Sequence, residues 1–178
     1  RGSDHLRGRP IPDLLGLPEP VIERMYSGGP NIYTKISSSM TSYVGKSREV
    51  FASEVHSATS NCMGNCGGAS DPELIYTITG FRFTPQELWD MGDRIYTIER
   101  MFNNRQGWTR KDDDVPERYY VEPTLLGMPL VRNKVLDREK FQKMLDEYYE
   151  LHGWDNNGVP TPETLKRLSL DKEPSHVI

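Results

Sequence analysis

The chain has 178 residues, 35% of them hydrophobic and 27% charged, with a formal net charge of -4, which is one domain's worth of a rather polar protein. That mild acidity argues against nucleic acid or an anionic membrane as the main partner, because both call for a basic patch. No apolar run approaches the roughly 20 residues that span a bilayer, and no charged-then-apolar leader opens the chain, so no membrane span is expected.

In chain order, the first thirty residues are punctuated by Pro10, Pro12, Pro18, Pro20 and Pro30, which allows only short helical turns such as Asp13–Leu17 and Pro20–Tyr26. The Ser/Thr-rich stretch Asn31–Tyr43 reads as an irregular loop or an insertion. A firmer helix is expected from Gly45 to Asn61, with Val50, Phe51, Val55 and Ala58 at helical spacing. It delivers the segment "SNCMGNCGGAS", Ser60–Ser70, which holds both cysteines of the chain. The best-marked helix begins at Thr84 as N-cap, with Pro85 in the first helical position and Glu87 closing a capping box. Its expected apolar stripe is Leu88, Met91, Ile95, Ile98 and Phe102.

The charged segment "GWTRKDDDVPERYYVEPT" then reads as a long ordered loop, solvated and held by internal ion pairs. Asp137 starts the next helix, with Phe141, Met144, Leu145, Tyr148 and Leu151 on its buried side and Gly153 at its end. Thr161 caps a last short helix over Glu163–Leu168. No period-2 strand pattern occurs, so the expected class is all-α, an irregular helical domain.

Two cysteines make no disulfide framework, and reduced thiols in a cytoplasmic protein are the simpler reading. Zinc and iron–sulfur sites take four protein ligands. His56 could be drafted as a third zinc ligand, but no fourth is evident nearby. Either the cysteines are structural or idle, or one of them completes a cluster whose other ligands lie elsewhere. His5, set among Asp4, Arg7 and Arg9, is either a surface residue or a proton carrier, and the arginines suit an anion site. The opening "RGSDHLRG" reads as the interior of a longer sequence.

Four stretches in this order carry a family resemblance: "RGSDHLRGRPIPDLLGLPEPV", "NCMGNC", "TGFRFTPQELWDMGDRIYTIERMFNNRQGWTRKDDDVPERYY" and "LDEYYELHGWDNNGVPTPETLKRL". Together they resemble the C-terminal domain of the aldehyde ferredoxin oxidoreductase family, enzymes that hold tungsten or molybdenum between two pterins beside a [4Fe-4S] cluster. The resemblance covers residues 1–178 apart from the insertion near 31–43, with residues 1–70 facing the cofactors and 71–178 forming the helical part. It implies that the pterin-binding domain and a Cys-rich motif precede this region.

By position, the resemblance makes Cys66 the fourth ligand of the cluster, with Cys62 on a serine position and not a ligand. Asn61 and Asn65 fall on pterin-contacting positions. Asn61 stands where the family has aspartate, so it keeps an acceptor oxygen, loses the charge and alters that contact. His5 corresponds to the active-site histidine and Arg7 to a basic pterin contact.

The implied reaction is oxidation of an aldehyde to a carboxylate, with electrons passed to ferredoxin or an iron–sulfur subunit. A homodimer is left open. The alternatives are the same cofactor reducing an aromatic acyl thioester or another carbonyl substrate, and a non-enzymatic helical subunit.

Overall fold

The computed structural model describes residues 15–25, 35–64, 71–125 and 129–172. Over these residues the chain forms helices α1 (Glu19–Met25), α2 (Lys46–Cys62), α3 (Pro72–Thr79), α4 (Pro85–Arg105), a 3-10 turn (Arg110–Asp113), α5 (Arg118–Val121), α6 (Arg138–His152) and α7 (Pro162–Arg167). There is no strand among the described residues, only an isolated bridge between Trp154 and Pro160. The all-α expectation holds. No helix among them is long and apolar enough to cross a membrane.

Local chemistry sets the helix boundaries. At α4 the Thr84 hydroxyl accepts from the Glu87 N–H at 3.2 Å, and the Glu87 carboxylate accepts from the Thr84 N–H at 2.7 Å, the reciprocal cap read from the sequence. Asp137 accepts from the Lys140 N–H at 3.1 Å to open α6, and Thr161 accepts from the Thr164 N–H at 3.3 Å to open α7. These three starts follow expectation. Helix α3 does not, since no element was expected there, although Asp71 caps its start and Gly80 its end.

Helix α2 is the axis of the fold, packing chiefly on α4 and then on α6. Ile22, Ile36, Phe51, Ala52, Val55, Trp89 and Leu151 form the main core, and Leu145, Tyr149 and Trp154 a second one. Ile36 comes from the Ser/Thr-rich stretch and is fully buried. Its N–H donates to Glu23 Oε1 at 2.7 Å, and Lys46 Nζ donates to the Ser37 carbonyl at 2.7 Å. Residues 35–43 are irregular, yet they close one end of the core.

Two expectations about faces need correction. Along α4 only Leu88 of the expected stripe is buried; Met91, Ile95 and Ile98 are half-buried and Phe102 is 40% exposed. The inward face is Leu88, Trp89, Gly92, Asp93, Tyr96, Thr97 and Arg100. The cause is the close crossing of α2 at Gly92, where a Cβ would stand 2.2 Å from the Val55 carbonyl oxygen. That crossing centres the contact on Gly92, and Asp93 and Arg100 beside it find partners inside. On α6, Leu145 and Leu151 are buried as expected, Phe141, Met144 and Tyr148 are half-buried, and Tyr149 and His152 are buried as well.

Candidate cofactor-facing end of helix α2 and the polar hubs

Helix α2 ends as its sequence demands. The Met63 N–H donates to the Thr59 and Ser60 carbonyls at 3.3 and 3.1 Å, and the Gly64 N–H to the Asn61 carbonyl at 3.0 Å. Gly64 is left-handed, with φ 75°, so the chain turns away from the helix axis just before the cysteine hexapeptide is complete. Asn61 is half-buried on this last turn. Cys62 is exposed and free. His5, Arg7, Asn65 and Cys66 lie outside the described residues, so Asn61 alone of the expected site residues is placed.

The donor set can be compared with the groups the resemblance implies. With two cysteines in the chain, it can supply at most two of a cluster's four thiolates. No group of three or more His, Cys, Asp or Glu suited to a metal ion occurs among the described residues. Among the described residues there is thus no self-contained metal site, and a cluster bound here would need thiolates from outside this chain. His56 belongs to no such group among the described residues. It lies edge-on to Trp89 with ring centroids 4.8 Å apart, and burial lowers its pKa from the usual 6.5, favouring the neutral ring.

Two polar hubs, neither anticipated, tie the helices together: one near Phe51 in α2 and one near Ser47 and Val50 at its start. In the first, buried Asp93 on α4 receives Arg167 Nη2 at 2.6 Å and lies 2.7 Å from His152 Nδ1. With the carboxylate ionised, the ring carries its proton on Nδ1, and Nε2 finds no partner among the described residues. His152 is held by rings, stacked on Trp154 at 4.3 Å and edge-on to Phe51 at 4.6 Å. Residues 59 and 74 positions apart meet here, and no local spacing foretells it.

The second hub is Asp113 in the 3-10 turn. It accepts from Arg100 Nη1 at 2.9 Å, from Trp108 Nε1 at 2.9 Å and from the Tyr149 hydroxyl. Arg100 also donates through Nε to the Gly158 carbonyl at 2.6 Å. Burial works to raise the Asp113 pKa, but the hydrogen bonds from Arg100, Tyr149 and Trp108 and the guanidinium charge outweigh it and hold it below the usual 3.8. Burial and the bond to Asp113 push the Tyr149 hydroxyl well up.

The charged segment is therefore tied to its neighbours. Arg110 reaches Asp146 on α6 at 2.6 Å, and Arg138 on α6 bonds Glu117. The expectation of a loop held by its own ion pairs gives way to short helical turns stapled onto α4 and α6.

Two clefts open on the described surface. One, of about 300 Å³, runs between α2, α4 and α6 over Val50, Tyr96, Phe141, Met144 and Tyr148. The other, of about 520 Å³, lies over Trp89, Asp90, Asp93, Glu150 and Arg167. Asn61 lines neither.

Residues 1–170 match the family model described as aldehyde ferredoxin oxidoreductase, domains 2 and 3. Among curated relatives, the tungsten-containing aldehyde ferredoxin oxidoreductase of Pyrococcus furiosus is 34% identical over 105 residues, which is 58% of this chain and 16% of the relative. The aliphatic sulfonate oxidoreductase, WOR-like subunit, of the same organism is 36% identical over 99 residues, 52% of this chain and 15% of the relative. The chain thus spans about a sixth of the length of these relatives. A solved structure, the active site complex BamBC of benzoyl coenzyme A reductase with 1,5-dienoyl-CoA, aligns over 90% of this chain and 24% of its own, with a TM-score of 0.60 at 22% identity. At that identity the likeness speaks for the fold.

Proposed function

Since the chain belongs to the aldehyde ferredoxin oxidoreductase family, a family of oxidoreductases, we propose that it is part of a tungsten–pterin enzyme that oxidises aldehydes to carboxylic acids. The observation that carries this reading is the match over residues 1–170 of the 178. In the overall conversion water supplies the oxygen, and two electrons and two protons leave. When bound, the tungsten–pterin group supplies the two-electron chemistry and the [4Fe-4S] cluster the exit for single electrons.

The residues of this chain have four tasks in that scheme. The Cys66 thiolate tethers the cluster, whose remaining three thiolates come from upstream sequence. Asn61 and Asn65 hydrogen-bond a pterin. Arg7 meets the pterin's anionic groups with a fixed positive fork. His5 orients the substrate carbonyl or takes the proton released on water addition. What supports the role of Asn61 is its place: it is half-buried on the last turn of α2 and opens the hexapeptide that ends in Cys66.

Asn61 in place of the family's aspartate also favours a second reading, in which the cofactor is kept and the reaction differs. The relative named as an aliphatic sulfonate oxidoreductase, at 36% identity, points the same way. The alternative reactions are reduction of an aromatic acyl thioester or turnover of another carbonyl substrate.

Anaerobic metal analysis of the full-length protein tests the proposal. Four iron atoms and one tungsten or molybdenum per chain are expected, with reduction of a ferredoxin or a viologen dye by an aldehyde panel. Cys66→Ser is expected to lose most of the iron while Cys62→Ser keeps it. Iron content unchanged in Cys66→Ser would overturn the reading, and full metal content with no turnover of any aldehyde would select the second reaction.

A further inference from the structure

The loop after α6, closed by the bridge between Trp154 and Pro160, holds the chain's one Asn–Gly step, Asn157–Gly158. Its backbone is closely set. The Asp155 N–H donates to the Val159 carbonyl and the Gly158 N–H to the Asp155 carbonyl, each at 2.8 Å. Neither Asn156 nor Asn157 has a positive φ, so this hydrogen-bonded turn is type I, and Gly158 follows it with φ 73°. That last place needs glycine, and a Cβ there would also stand 2.0 Å from Arg100 Nη2.

The glycine that the fold requires also makes the step chemically labile. With no Cβ in the way, the Gly158 nitrogen can bond to Asn157 Cγ once its proton has passed to a solvent base. The Cγ–Nδ2 bond then breaks, ammonia leaves and a five-membered succinimide remains. Water opens that ring at one carbonyl to give aspartate, or at the other to give isoaspartate, whose backbone is one methylene longer. The attack needs a free glycine N–H and an asparagine ψ that brings the nitrogen over Cγ.

The folded loop withholds both. The Gly158 N–H is engaged by the Asp155 carbonyl, and a type I turn keeps Asn157 near ψ 0°, with the nitrogen turned away from Cγ. Helix α4 grips the turn from outside. Arg100 Nε and Asn104 Nδ2 donate to the Gly158 carbonyl at 2.6 and 3.1 Å, and Arg100 Nη2 to the Asn157 carbonyl at 3.3 Å. Arg100 is itself fixed by Asp113 at 2.9 Å. Asn157 is exposed to water, while Gly158 and Arg100 are buried.

We propose that Asn157 is the chain's site of deamidation, and that the grip of Arg100 and Asn104 on the Asn157 and Gly158 carbonyls guards it by holding the turn closed. Reaction then proceeds from the opened loop, at a rate set by how often the grip lets go. Once isoaspartate has formed, the lengthened backbone no longer presents the Gly158 carbonyl to Arg100.

The test uses the full-length protein purified anaerobically with its metals and incubated in mildly alkaline buffer. Peptides spanning each asparagine are followed by mass spectrometry with electron-transfer fragmentation, which separates aspartate from isoaspartate. In the urea-unfolded chain Asn157 is expected to react fastest of the asparagines. In the native protein its rate is expected to fall at least about tenfold, because only the open fraction reacts. Asn104→Ala, which leaves Arg100 and Asp113 in place, is expected to raise the native rate about fivefold, as loss of one neutral hydrogen bond allows. Arg100→Lys keeps a cation beside Asp113 but loses the Nε donor, and is expected to raise it further.

Equal native and unfolded rates would overturn the proposal, as would native rates in both variants that match the parent's. A faster asparagine elsewhere in the unfolded chain would overturn the choice of site. Acceleration in the variants that rises with urea as steeply as global unfolding would overturn the guard, because the grip would then act only through overall stability.

Discussion

Gly92→Ala gives the most direct test of how the helices are assembled. On an isolated helix the change stabilises by about 1 kcal/mol. In this fold the new Cβ would stand 2.2 Å from the Val55 carbonyl oxygen, 2.7 Å from Val55 Cγ1 and 2.8 Å from Thr59 Oγ1, whereas ordinary contact begins near 3.4 Å. Helices α2 and α4 must therefore part by about 1.2 Å locally, because the nearest atom is backbone and cannot swing aside. Overpacking of a rigid site costs about 3 kcal/mol. Parting also strains the Thr59 hydroxyl, which donates to the Leu88 carbonyl at 3.2 Å across the same seam, for roughly another 1 kcal/mol. Less the gain in helix propensity, the net loss is about 3 kcal/mol, or roughly 6–12 °C in the midpoint of a domain this size. Differential scanning fluorimetry of the full-length protein measures the midpoint, and hydrogen exchange over α2 and α4 localises the loss. An unchanged or raised midpoint would refute the close crossing.

Other outcomes follow from the hubs and caps. Asp113→Ala leaves buried Arg100 without its carboxylate and is expected to cost about 3 kcal/mol at neutral pH, measured by denaturant midpoint. The Asp113 pKa is depressed in the folded state, so its contribution is fully present above the unfolded value of about 4 and is lost as pH falls through the folded value. Asp113→Asn should therefore flatten the acid limb of the stability profile below about pH 4 while lying beneath the parent at pH 7. Asp93→Ala strips the only described partner from His152 Nδ1 and an anchor from Arg167, and is expected to cost about 3 kcal/mol. Asp93→Asn should cost less, and equal losses would argue against the paired arrangement. Thr84→Ala removes a reciprocal cap and should lower stability by roughly 1 kcal/mol, with exchange quickening only in the first turn of α4.

Much of the secondary structure was legible because its causes are local. Thr84-Pro85 with Glu87, Asp137 and Thr161-Pro162 announce helix starts through side chains that reach three residues along the chain. The same local signals, Asp71-Pro72 and Gly80, bracket α3. That helix was missed because it is only eight residues long, too short for an apolar period to stand out, with Ile75 its one buried residue. The candidate site was legible through family resemblance, and within the described residues that reading reaches as far as Asn61 at the end of α2.

What the sequence by itself determined is the set of caps and turns, the all-α class and the kinship carried by the hexapeptide and the helix–loop segment. Which face of α4 turns inward was decided only in three dimensions. A glycine at the crossing lets backbones approach, and burial then forces Asp93 and Arg100 to find partners dozens of residues away. An unpaired buried charge is too costly to keep. Pairings of that kind depend on where distant segments lie in space, and local spacing along a chain carries no record of it.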